Sequence, residues 1–244
     1  MAYILQNLTR SEAKMRLEKM PVGIVPVGST EQHGPHLPLG TDVFLAENLA
    51  CRVSDATGAM VFPSLNFGYS WGWKDIPGTV TLSESLLEEV LKEIAFSVDR
   101  YGLKILIFLD GHEANRSAMK YAIRTIQEEV SVKLIGMFYP GLSQVYEEHI
   151  ESPTWGGMFH AGEFETSLML ASDKEKLVVM DKATKEYPEK PYLYGMDDSS
   201  IGKISKSGVY GDSTLATREK GEAMFTKFTE NIAQIIKKTL EEYS

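Results

Sequence analysis

Apolar positions divide the chain into short buried runs and longer amphipathic stretches. Val22–Val27 and Ile105–Leu109 are almost unbroken aliphatic runs, the pattern of parallel strands covered on both faces. Val61–Phe62 and Val132–Phe138 read as further strands. Between them, apolar residues recur at three- and four-residue spacing, as in helices. Val43–Ala56 puts Phe44, Leu45, Leu49 and Val53 on one face, and a helix opening at Ser83 carries Leu86, Leu87, Val90, Leu91 and Ile94. Ser11–Met20, Asn115–Val130, Glu163–Ser172 and Thr217–Glu242 complete the helical set. Ser11 and Ser83 are the expected N-caps. Lys182–Gly211, rich in Lys, Pro, Tyr, Ser and Gly, reads as a long surface excursion. Helices alternating with buried strands predict an α/β fold with a mainly parallel sheet, as one domain over residues 1–244. Such folds bind ligands beyond the carboxyl ends of their strands, so the chemistry is expected after Val27 and Leu109.

Composition narrows the classes. A chain of 244 residues buries about 70–75% of its unfolded surface and needs neither disulfide nor structural zinc. With 43% apolar and 24% charged residues, neither a disordered chain nor a coiled coil fits. A net charge of −9 argues against nucleic acid or an anionic membrane as partner. No apolar run reaches bilayer length. Asn7, Arg10 and Glu12 follow Met1–Leu5 too closely for a signal-peptide core. The single cysteine, Cys51, lies on an apolar helical background, reads as core, and fits a reducing, cytoplasmic setting. Phosphate-binding glycine loops and the G-x-S-x-G nucleophile elbow are absent.

The unusual polar residues stand where the fold predicts ligands. Gly28 to Asp42 contains Glu31, His33, His36 and Asp42; Asp110 to Asn115 contains His112 and Glu113; and His160 to Ser167 contains Glu165. Of five histidines, only His149 lies elsewhere. Glu31 and His33, two apart in an extended loop, project to one side. Asp42 at a helix start is both a cap and an oxygen donor. Imidazole with carboxylate suits Zn, Mn or Fe(II), and a bridging carboxylate permits a two-metal hydrolytic centre. His36 reads as a structural residue of the Pro-rich loop. Trp71, Trp73 and Trp155 stand beside glycines, as pocket-lining aromatics often do.

Val27-Gly28-Ser29-Thr30-Glu31-Gln32-His33-Gly34-Pro35-His36-Leu37-Pro38-Leu39-Gly40-Thr41-Asp42 closely resembles the opening of the creatininase (creatinine amidohydrolase) family. Pro77-Gly78-Thr79, Gly111-His112 with Asn115, His160-Ala161-Gly162 with Glu165-Thr166-Ser167, and Gly208 to Asp212 resemble its later landmarks. The resemblance implies a three-layer α/β/α fold, two divalent ions and a homo-oligomer, commonly a hexamer built from dimers. It implies that Asp42 bridges, that Glu31 and His112 complete one ion, and that His33 serves the other. His160 is the candidate proton-transfer residue because imidazole titrates in the right range; by family position Ser70 contacts a small-molecule substrate, and Trp155 is expected to cover the pocket.

Departures from that pattern shift the expected substrate. Creatininase carries Tyr-Glu after the His112 equivalent, the Glu as ligand; here the pair is Glu113-Ala114. Glu165 is the first replacement and Glu113 the second, with Glu113 otherwise a catalytic or substrate-contacting group. The family's Glu-His before Pro-Gly-Thr is Gly72-Trp73, and the residues lining the creatinine pocket are Gly156-Gly157 and Phe159. The expectation is therefore hydrolysis of an amide or cyclic amide C–N bond, with a substrate other than creatinine. Ring opening of a keto-inositol or keto-sugar and a non-catalytic metal-binding role are the alternatives.

Overall fold

The computed structural model describes residues 2–198 and 200–243. Strands β1 (Tyr3–Ile4), β2 (Val22–Val27), β3 (Met60–Val61), β4 (Ile105–Asp110) and β5 (Lys133–Phe138) form one sheet in the order β1-β3-β2-β4-β5. Every pairing is parallel, and β2 runs against β4 from Val22↔Ile105 to Val27↔Asp110. Both of these strands are buried along their whole length. Their side chains alternate between two cores, as the period of two requires. Val22, Ile24, Ile105, Ile107 and Leu109 face one core. Val25, Val27, Leu106 and Phe108 face the other. Pro26 is tolerated in this inner strand. It lies opposite Leu109, and its carbonyl accepts from Leu65 N at 2.9 Å.

Helices cover both faces. On the first lie α2 (Thr41–Thr57), α5 (Leu142–His149), α6 (Glu163–Leu170) and α7 (Arg218–Glu242). On the second, α3 (Glu84–Asp99) and α4 (Arg116–Ile126) pack beside Leu17 of α1 (Arg10–Lys19). The expected three-layer α/β arrangement is thus present. Among the described residues, no helix is long and apolar enough to cross a membrane.

Several boundaries differ from the sequence reading. The cap of α1 is Thr9, not Ser11: Thr9 accepts from Glu12 N, and the Glu12 carboxylate returns to Thr9 N at 2.8 Å. That reciprocal pair satisfies two backbone donors that Ser11 would leave open. The fourth helix begins at Arg116 because a 3-10 turn, Glu113–Asn115, precedes it. Strand β1, helix α5 and the antiparallel pair β6 (Lys185–Glu186) and β7 (Gly211–Asp212) were not expected. The two-residue strands are too short to show a period.

The Lys182–Gly211 stretch is tied down at several points. The Glu186 carboxylate accepts from Ser205 Oγ, Lys206 N and Ser207 N, each at 2.8 Å. Tyr194 and Ile201 pack with Trp73, Trp155 and Tyr210 in a third apolar cluster.

Two glycines at strand ends let α2 approach the sheet. A Cβ on Gly111 would fall 2.2 Å from the Asp42 carbonyl oxygen, and one on Gly28 would fall 2.6 Å from Val43 N. Any side chain there would push the first turn of α2, and Asp42 with it, away from the ends of β2 and β4.

Candidate metal centre

Beyond the carboxyl ends of β2 and β4, three carboxylates face three imidazoles. Asp42, in the first turn of α2, lies between two of them. Its Oδ1 is 3.1 Å from His33 Nε2, and its Oδ2 is 3.1 Å from His112 Nδ1. Glu31 Oε2 is 3.4 Å from His112 Nε2, and Glu31 Oε1 is 3.6 Å from His160 Nδ1. Glu165, from the first turn of α6, places Oε1 3.9 Å from His33 Nε2. All six residues are buried.

The outer nitrogen of each ring is committed to the backbone. His33 Nδ1 donates to the Glu31 carbonyl at 3.1 Å, His112 Nε2 to the Tyr69 carbonyl at 3.0 Å, and His160 Nε2 to the Gln32 carbonyl at 2.8 Å. A carbonyl oxygen can only accept, which favours the proton on these nitrogens, although His160 Nε2 also lies 2.8 Å from the Gln32 side-chain amide nitrogen, a donor. The inner nitrogens of His33 and His112 face carboxylate oxygens at 3.1 Å. Such an arrangement needs positive charge between the two sets, either protons on the rings or a metal cation that replaces them. Backbone carbonyls orienting the far nitrogen are also what metal-ligating histidines use.

Four of the buried atoms left without hydrogen-bond partners are in the same place: both oxygens of Glu31, Asp42 Oδ2 and His33 Nε2. Buried polar atoms are almost always paired, and cations bound among these residues would satisfy them. Among the described residues, three groups have ligand atoms close enough to share an ion. They are Glu31 with Asp42 and His112, His33 with Asp42 and Glu165, and Glu31 with His33 and His160. The donor set is mixed imidazole and carboxylate, and it fits divalent transition metals.

Electrostatics agree with an anionic cradle. Burial opposes charge on His33, but Asp42 beside it pushes its pKa up to about 10. Burial likewise opposes charge on His112, and Glu31 and Asp42 outweigh it and raise the pKa well above the usual value. Burial would raise Asp42, yet His33 and His112 hold its carboxyl well below the carboxylate range. Burial pushes Glu165 up to about 7, with His33 partly offsetting it. His160 goes the other way: burial and then His33 lower it well below the ordinary imidazole value.

The whole-chain comparisons agree. The family model for creatininase, described as creatinine amidohydrolase, matches residues 6–236. The chain belongs to the creatininase family. A mycofactocin precursor peptide peptidase from Mycolicibacterium smegmatis is 29% identical over 239 residues, covering 95% of this chain and 91% of that protein. A creatinine amidohydrolase from Pseudomonas putida is 28% identical, covering 88% of each. A 3-dehydro-scyllo-inosose hydrolase from Thermotoga maritima is 25% identical, covering 98% of this chain and 84% of that protein. Among solved structures, a mutant creatininase of Zn-Zn type superposes with a TM-score of 0.81 at 28% identity, covering 100% of this chain and 99% of that one. The protein is thus a creatininase-family hydrolase, and its relatives act on different compounds.

In this creatininase-family chain the cluster forms the floor of a cavity of about 380 Å³. Glu31, His112, His160 and Glu165 are exposed to it, and Tyr69, Trp71, Trp73, Phe138, Phe159 and Tyr194 are among the aromatic residues that wall it. Ser70 also lines it, buried, with its hydroxyl on Ser29 and 3.5 Å from His112 Nε2. Glu113 lies at the wall but outside the cluster, its half-exposed carboxylate paired with Arg116 at 3.1 Å. Of the two candidate replacement ligands, only Glu165 is within reach of the other donors. His36 stays apart from the three metal groups, bonded to Thr166 Oγ1 at 2.9 Å.

Trp155 departs from its expected place over the pocket. It is not part of the cavity wall; its Nε1 donates to the Pro188 carbonyl at 2.6 Å, and it packs edge-on against Tyr194, which does line the cavity. Two further residues shape the site, Asn115 from the Gly111-His112 landmark and Tyr139, which the sequence reading does not single out. Asn115 clamps three loops, donating to the Gly28 carbonyl at 3.1 Å and to Asp110 Oδ1 at 3.0 Å and accepting from Tyr69 N at 2.9 Å. The Tyr139 hydroxyl is buried without a partner, and burial followed by the charge of Glu165 holds its pKa well above the usual phenol value. Its position just after β5, at a strand's carboxyl end, was the available clue.

Proposed function

We propose that this protein is a two-metal hydrolase that cleaves an amide or cyclic amide C–N bond in a small-molecule substrate larger than creatinine. The carrying observation is the set of three imidazole nitrogens aimed at three buried carboxylates on the floor of a cavity. Glu31, Asp42 and His112 would hold one ion, and His33, Asp42 and Glu165 the other, with Asp42 common to both. Zn, Mn or Fe(II) suits this donor set. A pair of such ions supplies an acidified water and polarises a carbonyl oxygen.

The remaining chemistry belongs to the chain. His160 Nδ1 lies beside Glu31, on a ring that also faces the cavity. With Nε2 committed to the Gln32 carbonyl, proton traffic passes through Nδ1. It takes the proton of the attacking water and returns it to the leaving nitrogen. A general acid–base group of this kind contributes typically about 10²–10⁴ in rate. Ser70 is positioned to contact the substrate, and Glu113 to meet a donor group at the mouth.

Cavity shape bears on the substrate. A volume of about 380 Å³ is in the range of sites for drug-sized ligands. The aromatic walls favour a flat or apolar substituent over a hydroxyl-rich ring, which favours an amide over a keto-inositol. A cytoplasmic homo-oligomer, by family a hexamer, completes the proposal. The test is a screen of amides, lactams, formamides and keto-inositols on protein of known metal content. Amide turnover that a chelator abolishes and Zn or Mn restores supports the proposal. Turnover of the keto-inositol alone would replace it.

A further inference from the structure

His160 is held by more than its hydrogen bond. One face of its ring lies on the indole of Trp73, with centroids 4.2 Å apart and planes 23° apart. The other face meets the His33 ring at 4.4 Å and 38°. Nε2 is pinned to the Gln32 carbonyl, and the His160 backbone pairs both ways with Tyr210. Of these restraints, Trp73 supplies a side chain that belongs to none of the three metal groups.

Trp73 is itself firmly seated. It is buried, at 4% exposure, within the turn Trp71–Trp73. Its ring meets Tyr210 edge-on at 5.8 Å, and Tyr210 meets Trp155 in the same way at 4.9 Å. The Ser200 hydroxyl donates to the Gly72 carbonyl, and a Cβ on Gly72 would fall 2.9 Å from Ile201. The Lys182–Gly211 excursion therefore clasps the turn that presents Trp73, and Trp73 presses on His160. Position 73 is also where the sequence departs from the family's Glu-His before Pro-Gly-Thr.

We infer that Trp73 is a positioning residue for His160: its flat face stops the imidazole from turning over about Cβ–Cγ, so that Nδ1 and not the Cδ2 carbon is presented beside Glu31 to the substrate. This rests on the reading of His160 as the proton-transfer group. A ring turned over about Cβ–Cγ would put Cδ2 in the place of Nδ1 and Cε1 in the place of Nε2, and so lose the contact with the Gln32 carbonyl that fixes the tautomer. A bulky aliphatic residue fills the same space without a flat face to hold the ring plane. Offset stacked rings are preferred over irregular contacts and contribute beyond the area they bury.

The experiment uses the full chain loaded with zinc. Histidine ¹⁵N NMR reads the His160 tautomer without any substrate, and the amide that turns over fastest in the screen reads kcat and KM. Wild type should show one tautomer, protonated at Nε2. Trp73→Leu should show a mixture, with kcat down at least about tenfold, KM within about twofold and zinc content unchanged. Trp73→Phe, which keeps a flat face, should restore the single tautomer and most of kcat. If Trp73→Leu does not accumulate as folded protein, Trp73→Met carries the same comparison. A single Nε2 tautomer and near-normal kcat in the Leu or Met variant would overturn the inference. His160→Ala with unimpaired kcat would instead overturn the role of His160 itself, so the two failures are separable.

Discussion

Replacing Asp42 by Asn keeps the shape of the first turn of α2 and removes one charge. Asp42 faces His33 and His112 at 3.1 Å each, and its oxygens belong to two of the three candidate metal groups. At an effective dielectric near 20, a unit charge about 3 Å away interacts by about 5 kcal/mol. The burial cost of the carboxylate offsets part of this. If roughly half survives, each ion position loses about 2–3 kcal/mol, or about 100-fold in affinity. The loss should appear at both positions, because the residue lies between them. Zinc titration calorimetry with elemental analysis after dialysis measures it. Wild type should retain close to two ions per chain, and Asp42→Asn should retain neither tightly. A variant that loses one ion and binds the other normally would refute the bridging role, and one that keeps both would refute the site.

Further outcomes separate the other roles. Glu165→Gln should weaken one ion position and spare the other, whereas Glu113→Gln should leave metal content intact and change KM; elemental analysis beside steady-state kinetics reads both. Creatinine should remain a poor substrate of the metal-loaded protein, with kcat/KM below about 10⁴ M⁻¹s⁻¹, since each missing orienting contact costs about 10–200-fold. Efficient creatinine hydrolysis would contradict that pocket reading. Glu186 gives a pH signature away from the metals. Its burial is outweighed by bonds from Ser207, Lys206 and Ser205, which push its pKa down to about 2. A depressed carboxylate stabilises the fold above the unfolded value of about 4.3, and that contribution disappears as pH falls through the folded value. The Tm gap between wild type and Glu186→Gln should therefore narrow from pH 5 toward pH 2.5; a gap independent of pH would show that the carboxylate charge is not what holds the Ser205–Ser207 turn.

The residues of the carboxylate–imidazole cluster were legible because they sit on features that sequence displays. Glu31, His33 and Asp42 follow a continuous apolar strand within one loop, and His112 follows another. Glu165 was nominated because Ala114 cannot ligate, and the first turn of α6 delivers it. The layers were legible for the same reason: β2 is apolar throughout, β4 is apolar up to its terminal Asp110, and α3 has a sharp stripe.

What escaped depends on contacts between distant segments. Trp73 and His160 are far apart in the chain, and only the fold stacks them. Trp155 reads as a pocket aromatic beside glycines, yet Tyr194 from the Lys182–Gly211 excursion stands at the wall in its place. The cap of α1 moved to Thr9 because the reciprocal bond with Glu12 outweighs a lone serine two residues later.

The central claim is a pair of divalent ions sharing Asp42. Anomalous scattering from crystals of the protein loaded with zinc or manganese tests it most directly. The account predicts two peaks per chain, one flanked by Glu31, Asp42 and His112 and the other by His33, Asp42 and Glu165, with His160 Nδ1 bound to neither. A single peak, or a peak held by Glu31, His33 and His160, would contradict it.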